Sequence, residues 1–378
     1  MELANDLLSN GQSDPELADL LARVRFVIVP VQNPDGYISS RAGFELNPDS
    51  SGEELATAGV GGIAAYRRKT CSGPFPAAAP CDLQPGADSN RNYGANWGGL
   101  GASTVPYEQD YRGDGPWSEP ETANVHTLLR GLNATMVLSI HNVLGAVLRP
   151  PGVQSAPVPP DTARLKTLGT KLANLAGYTE NTFYGGLGYD GSGLTEDWSY
   201  DALGAFTYTI EMGPSGGQFH MSYPTGVVEQ WTGEQRKKAG MRGALREMAR
   251  AAANPLYHSV ISGTAPAGAT IEVGRTFRTS TGLPCTAAPG ILVRNNVAAL
   301  ECLAPTQALT FDDSVAFSMT VPESGSYAFH VPPSTRPQLI SEGRTEPFTV
   351  TCRVGGAVVS TAQITVLRGA ASTFDCAG

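Results

Sequence analysis

The stretch GADSNRNYG, residues 86–94, sets Arg91 between Asn90 and Asn92 in a loop bounded by glycines. Two readings are open. Asp, Ser and Asn satisfy their own backbone in turns, and an exposed arginine keeps such a loop soluble. Alternatively the loop is a carboxylate-binding fork, since a guanidinium offers two parallel N–H donors and a neighbouring amide can take a remaining lone pair. Two apolar runs elsewhere end on a single chemically active group. In MVLSIH, Val137, Ser139 and His141 share one face, and His141 is the last residue before a glycine-containing loop. In AFTYTIEM, Phe206, Tyr208, Ile210 and Met212 form an apolar face and Thr207, Thr209 and Glu211 the other, with GPSGG following. Ligands of open α/β sheets bind outside the carboxyl ends of the strands, which would bring His141, Glu211 and Asn33 to one edge. Taken singly, His141 and Glu211 also read as hydrogen-bonded, partly buried polar groups.

Such groups need strands and helices in alternation to place them. SDPE at 13–16 forms a capping box around Pro15 and opens the helix PELADLLARV. RFVIVPVQ then reads as a buried strand and NPDGY, residues 33–37, as a turn. SEPE at 118–121 is a second capping box, ahead of VHTLLRGL. TMVLSIH is a strand, DTARLKTLGTKLANLAGY a helix, AFTYTIEM a strand, and a long helix runs from about Val227 to Ala253. This order predicts an α/β fold with a mixed, largely parallel sheet and helices on both faces. Past Asn254-Pro255 the texture changes to short period-2 runs: ATIEVGRTFRT, DSVAFSMTV, SYAFHV, PFTVTCRV and STAQITVL. These predict a small all-β sandwich domain over 257–378, after an α/β domain over 1–256.

The totals narrow the class. The chain has 378 residues, too many for one ordinary core, and its net charge of −9 argues against nucleic acid or anionic membrane as the main partner. No apolar run approaches the roughly 20 residues that span a bilayer. Cys71, Cys81, Cys285, Cys302, Cys352 and Cys376 make an even set without a CxxC spacing. They read as disulfides and hence as a secreted, extracellular protein, reduced buried thiols being the alternative. No signal peptide is visible in MELANDLLSNG. Leu3, Leu7 and Leu8 share a helical face there and Asn10-Gly11 is a stop, but no capping residue precedes Glu2. Asn133-Ala134-Thr135 fits a glycosylation acceptor.

The series NPDGY, YRRKT, DSNRNY, SIH…LRPPG and TYTIE, in this order and spacing, resembles the zinc carboxypeptidase family, in particular the secreted metallocarboxypeptidases that remove one C-terminal residue. The likeness runs from Met1 to about residue 253, and the distance from Asp197-Trp198 to Glu211 fits the family's pattern. The resemblance implies a carboxypeptidase-like sheet, one Zn2+ ion, and peptide or protein C-termini as partners. It assigns Asn90 and Arg91 to the substrate's terminal carboxylate and Tyr189, in GGLGYDGSG, to a mobile tyrosine that closes over the substrate. Arg68 would stabilise the oxyanion, with Arg67 next door leaving that register open by one. Glu211 would be the general base and His141 the third zinc ligand. Glu196, in LTEDW, falls at the base of the specificity pocket, where a carboxylate would favour C-terminal Arg or Lys. An exposed loop acid is the plainer reading of Glu196. The family's other two ligands form a His-x-x-Glu, and none of His126, His141, His220, His258 and His330 has Glu three residues on. The resemblance places that pair just upstream of residue 1, so the expectation is an N-terminally incomplete catalytic domain that binds zinc poorly. An inactive relative that binds C-terminal carboxylates is the alternative.

Overall fold

The computed structural model describes residues 1–46, 67–71, 86–106, 108–214, 219, 221–282, 309–336 and 344–376. Cys81, Cys285, Cys302 and His220 lie outside the described residues. The first helices are α1 (Glu2–Asn10), α2 (Pro15–Arg23) and α3 (Pro34–Leu46). Next come α4 (Pro120–Gly131), β1 (Met136–Asn142), β2 (Ala146–Arg149), α5 (Thr162–Ala176) and β3 (Thr179–Thr182). Two short helices follow, α6 (Phe183–Leu187) and α7 (Thr195–Trp198), then β4 (Phe206–Met212), α8 (Glu229–Thr232) and α9 (Gly240–Ala253).

The four strands form one mixed sheet in the order β1-β4-β2-β3. β1 runs parallel to β4, β4 antiparallel to β2, and β2 parallel to β3. Residue alternation on β4 decides the layers, as its sequence predicts. Phe206, Tyr208 and Ile210 are buried with Leu165, Leu168 and Leu172 of α5 and Met241, Ala244 and Met248 of α9. Thr207 faces the other way, its hydroxyl donating to the Glu196 carbonyl at 2.9 Å. Glu211 is on that second face too, at the strand's end.

Several local expectations change. The run RFVIVPVQ, residues 25–32, is not a strand: no described strand pairs with it, and Val27, Ile28, Val29 and Val31 are exposed. Extended backbone becomes a strand only when a neighbour takes its hydrogen bonds, and apolarity alone does not supply one. NPDGY is the start of α3, with the Asn33 side chain accepting from the Gly36 amide at 2.9 Å. Asn-Pro opens a helix as readily as a turn because both want a capped backbone and a fixed φ. Asp14, not Ser13, caps α2, accepting from Glu16 and Leu17. At α4 no side chain caps the amides, and the Ser118 hydroxyl donates to Glu119 instead. The long helix after Val227 is broken, because Gly233 and Gly240 take φ values of +67° and +65°. In α1 the buried residue is Asp6, paired with Arg246 at 3.0 Å, and Leu8 is exposed.

The remaining strands are β5 (Ser259–Thr264), β6 (Thr270–Ser280), β7 (Thr310–Thr320), β8 (Ser326–Val331), β9 (Thr335–Arg336), β10 (Arg344–Thr345), β11 (Phe348–Val354), β12 (Ala357–Ile364) and β13 (Ala371–Thr373). They make a four-stranded sheet β12-β11-β6-β7, a three-stranded sheet β13-β5-β8 and a two-stranded ribbon β10-β9. Alternate residues Ile271, Val273 and Phe277 of β6 meet Val350 and Phe348 of β11 and Phe329 and Val331 of β8 in the core between the sheets. Cys352 and Cys376 form a disulfide across this sandwich, and Cys71 is disulfide-bonded as well. The apolar core of this all-β region continues into the α/β part. Tyr93, Leu129, Trp198, Ala202 and Leu203 of the α/β part belong to the same apolar cluster.

Candidate active site

The sheet brings the two strand-end groups together. In the parallel β1–β4 register His141 lies opposite Glu211, and its Nδ1 is 4.0 Å from the Glu211 Oε1. The other ring nitrogen, Nε2, is 2.8 Å from the Ser139 hydroxyl. Burial, reinforced by the Arg68 cation, lowers the His141 pKa to about 4, so the ring is neutral at pH 7. Burial also raises the Glu211 carboxyl to about 7, partly opposed by Arg68. Among the described residues no three His, Cys, Asp or Glu side chains gather to hold a metal. One histidine falls short of the three protein ligands usual for catalytic zinc, so these residues by themselves do not fit the ion.

Burial decides between the two readings of GADSNRNYG. Asn90 and Arg91 are 7% and 4% exposed, so the solubilising-loop reading of GADSNRNYG fails. The loop turns as a short 3-10 segment, Ser89–Arg91, whose Asp88 cap accepts from the Asn90 amide at 3.0 Å. The Asn90 side-chain oxygen accepts from both the amide and the hydroxyl of Thr195, at 3.0 and 3.1 Å. Arg91 donates from Nε to the Gly101 carbonyl and from Nη1 to the Asn90 carbonyl, each at 2.7 Å. Those bonds fix the plane of the guanidinium. Close approach of Gly193 fixes the loop from the far side: it sits at φ +69°, and a Cβ there would lie 2.3 Å from the Arg91 carbonyl oxygen.

Arg68 and Arg67 separate cleanly. Arg67 turns back onto the carbonyls of Lys69 and Thr70. Arg68 pairs with Asp88 at 2.6 Å, its side chain still half exposed. Asp88 holds the Arg68 guanidinium above its ordinary pKa, with smaller contributions from Tyr189 and Glu211. Tyr189 packs edge-on against Phe183, at 5.7 Å between ring centres, just past Gly188 with its φ of +77°.

Glu196 is not an exposed loop acid. It lies on α7, 1% exposed, and neither carboxylate oxygen has a hydrogen bond of normal geometry among the described residues. Burial raises its pKa, opposed by its own backbone, the nearby Thr209 hydroxyl and the Arg91 cation. Asp197 beside it is fully buried and accepts twice from the Gly152 amide, each at 3.1 Å. Burial and then Glu196 push the Asp197 carboxyl well up.

Two contributors escaped the sequence reading. Asp88 looked like a turn residue, yet it is the carboxylate between Arg68 and Arg91, 2.6 and 3.7 Å away. Thr195 orients Asn90 from a hundred residues downstream. The i,i+3 spacing of Asp88 and Arg91 was the available signal for Asp88; nothing in the sequence pairs Thr195 with Asn90. The Asn133 side chain of the glycosylation triplet donates to the His330 carbonyl of the sandwich.

Comparison with known proteins gives a consistent result. The family described as zinc carboxypeptidase matches residues 1–237. Carboxypeptidase A2 of Mus musculus is 26% identical over 219 residues, covering 56% of this chain and 46% of the relative. Carboxypeptidase O of Homo sapiens is 28% identical over 218 residues, covering 56% of this chain and 51% of the relative. The chain thus spans about half the length of the curated relatives it matches. Among solved structures, carboxypeptidase A from Helicoverpa armigera is similar at 24% identity and a TM-score of 0.45, covering 60% of this chain and 51% of that one.

Proposed function

The chain belongs to the zinc carboxypeptidase family, and from that premise we propose that it recognises the C-terminal residue of peptides, preferring arginine or lysine, and hydrolyses the bond before it. The observation that carries the preference is Glu196, a fully buried carboxylate whose oxygens have no hydrogen bond of normal geometry and no paired cation in contact among the described residues. A cationic substrate side chain supplies what such a group lacks, whereas an apolar one leaves it desolvated and unpaired.

Each remaining residue has a task of its own. The Asn90 amide and the Arg91 Nη2 hold the terminal carboxylate, at a site whose rigidity comes from Asp88, Thr195 and Gly101. Arg68, tethered to Asp88, presents a fixed positive charge where negative charge develops on the scissile carbonyl oxygen. Glu211 accepts a proton from the attacking water and returns it to the leaving amine. His141 is the one described residue we place at the metal. The Cys352–Cys376 disulfide supports an oxidising, extracellular setting.

That the described residues do not complete a ligand set favours a second reading, in which the chain binds C-termini without cleaving them. One experiment separates the two. N-acetyl-arginine binding is measured by calorimetry, and hydrolysis of benzoyl-glycyl-arginine and benzoyl-glycyl-phenylalanine is followed with and without added Zn2+. Binding together with zinc-dependent cleavage of the arginine peptide supports the peptidase. Binding without cleavage supports the second reading, and absence of binding overturns both. Glu196→Leu should lower affinity for N-acetyl-arginine about tenfold or more and leave N-acetyl-leucine little changed.

A further inference from the structure

We propose that Arg275 and Arg368, two buried arginines of the β-sandwich, are positioning residues for the specificity pocket, anchoring the carbonyl end of the helical segment that carries Glu196. The proposal rests on the reading of Glu196 as the pocket's acid.

The segment in question is continuous. It begins with α7, winds on through a wider helical turn over Ser199–Leu203, reverses at Gly204 with φ +75°, and enters β4. Glu196 stands at its start and Glu211 at its end. With no hydrogen bond of normal geometry to either carboxylate oxygen among the described residues, Glu196 is placed chiefly by the backbone of this segment. A helix end leaves its last carbonyls unsatisfied and carries partial negative charge, so whatever caps it fixes the helix axis.

The caps come from the other half of the molecule. Arg275, on β6 and 4% exposed, has Nη2 at 3.4 Å from both the Ala202 and Leu203 carbonyl oxygens, and its Nη1 donates to the Pro333 carbonyl at 2.7 Å. Its guanidinium lies over the rings of Phe277 and Phe348, 5.3 and 5.1 Å from their centres. No carboxylate hydrogen-bonds it among the described residues. A cation buried without an anion is costly, and here the helix-end carbonyls and aromatic faces are what offset it. Arg368 takes the next carbonyl, Nη2 to Gly204 at 2.9 Å. It is held in place by Asp161 at 2.9 Å, by the Tyr257 carbonyl at 2.8 Å and by the ring of Phe206 at 4.5 Å. Three successive carbonyls, those of 202, 203 and 204, thus end on sandwich cations. Around this end Pro332 and Pro333 close against Gly204, where an added Cβ would be 3.1 Å from Pro333.

The test uses the full chain with Arg275→Met, Arg275→Lys and, in case the first does not fold, Arg368→Met. Hydrogen exchange of the amides of 198–206 should quicken about tenfold or more in Arg275→Met, while β6 and β7 keep their protection, and Arg275→Lys should restore part of the difference. The ratio of N-acetyl-arginine to N-acetyl-leucine affinity should fall about tenfold in Arg275→Met, again with partial recovery in Arg275→Lys. Unchanged exchange at 198–206, or a rise spread evenly over the whole chain, overturns the proposal. So does an unchanged affinity ratio. A wild-type chain with no arginine preference removes the Glu196 reading and takes the pocket half of this proposal with it, while hydrogen exchange alone still decides the anchoring.

Discussion

Asp88 is the residue on which the cationic side of the site turns. Its carboxylate stands between Arg68 and Arg91, and its own pKa is held down by both arginines and the Asn90 amide despite full burial. Asp88→Asn leaves a buried Arg91 facing a neutral amide, and breaking a buried pair costs about 3 kcal/mol, the low end because Arg68 stays half solvated. Urea unfolding should show that loss, and N-acetyl-leucine binding should weaken with it. A stable variant that binds normally would remove Asp88 from the site. Legibility at this scale followed chemistry rather than contact. Asn90, Arg91, His141 and Glu211 declare themselves by type and position in motifs, and the structure brings His141 and Glu211 into register. Glu196 as a buried acid could not be read from LTEDW, because burial is decided by what α7 packs against. The Thr195–Asn90 bond was invisible for the same reason.

Individual elements carry two further expectations. Gly193→Ala places a Cβ against the Arg91 carbonyl at a left-handed φ of +69°, with no flexible side chain to yield. A loss of roughly 2–4 kcal/mol is expected, and chemical denaturation of the variant measures it. In the β5–β8 sheet, His258 Nε2 and His330 Nδ1 lie 2.7 Å apart. Burial first, then His330 and Arg368, lowers His258 to about 4, and burial lowers His330. A histidine whose folded pKa is depressed takes up protons on unfolding, so its contribution is complete above about pH 6.5 and is lost as pH falls toward 4. The unfolding free energy from urea titrations should therefore fall between pH 7 and 4.5, by on the order of 2–3 kcal/mol at most, and His258→Gln should flatten that fall. Helix and strand identity was legible wherever the apolar period was long, as in β4 and α5. It failed at residues 25–32, which have strand composition without a described partner, and at the Gly233 and Gly240 breaks.

At the scale of the molecule, the composition change past Pro255 marked a real shift from α/β to all-β architecture, yet gave no sign that the two halves share one apolar cluster. Trp198, immediately after the Glu196-Asp197 pair, stacks with Tyr93 at 5.8 Å and meets His126 at 5.1 Å. His126 in turn pairs with Asp313 of β7 at 3.0 Å, and Trp117 packs on Phe311. Residues 1–256 expressed alone should expose Trp198, Leu203 and Leu129 and should lack a cooperative melt, whereas the whole chain should unfold in one transition by calorimetry. A well-folded 1–256 fragment would refute a shared core. The arginine clamp on carbonyls 202 to 204 has a further consequence, for anyone recombining such proteins. Exchanging the tail for that of a relative is not a neutral swap of modules, and a mutagenesis library confined to the pocket lining would leave untouched two positions able to retune it. Selectivity in this chain would be inherited in part through its last hundred or so residues.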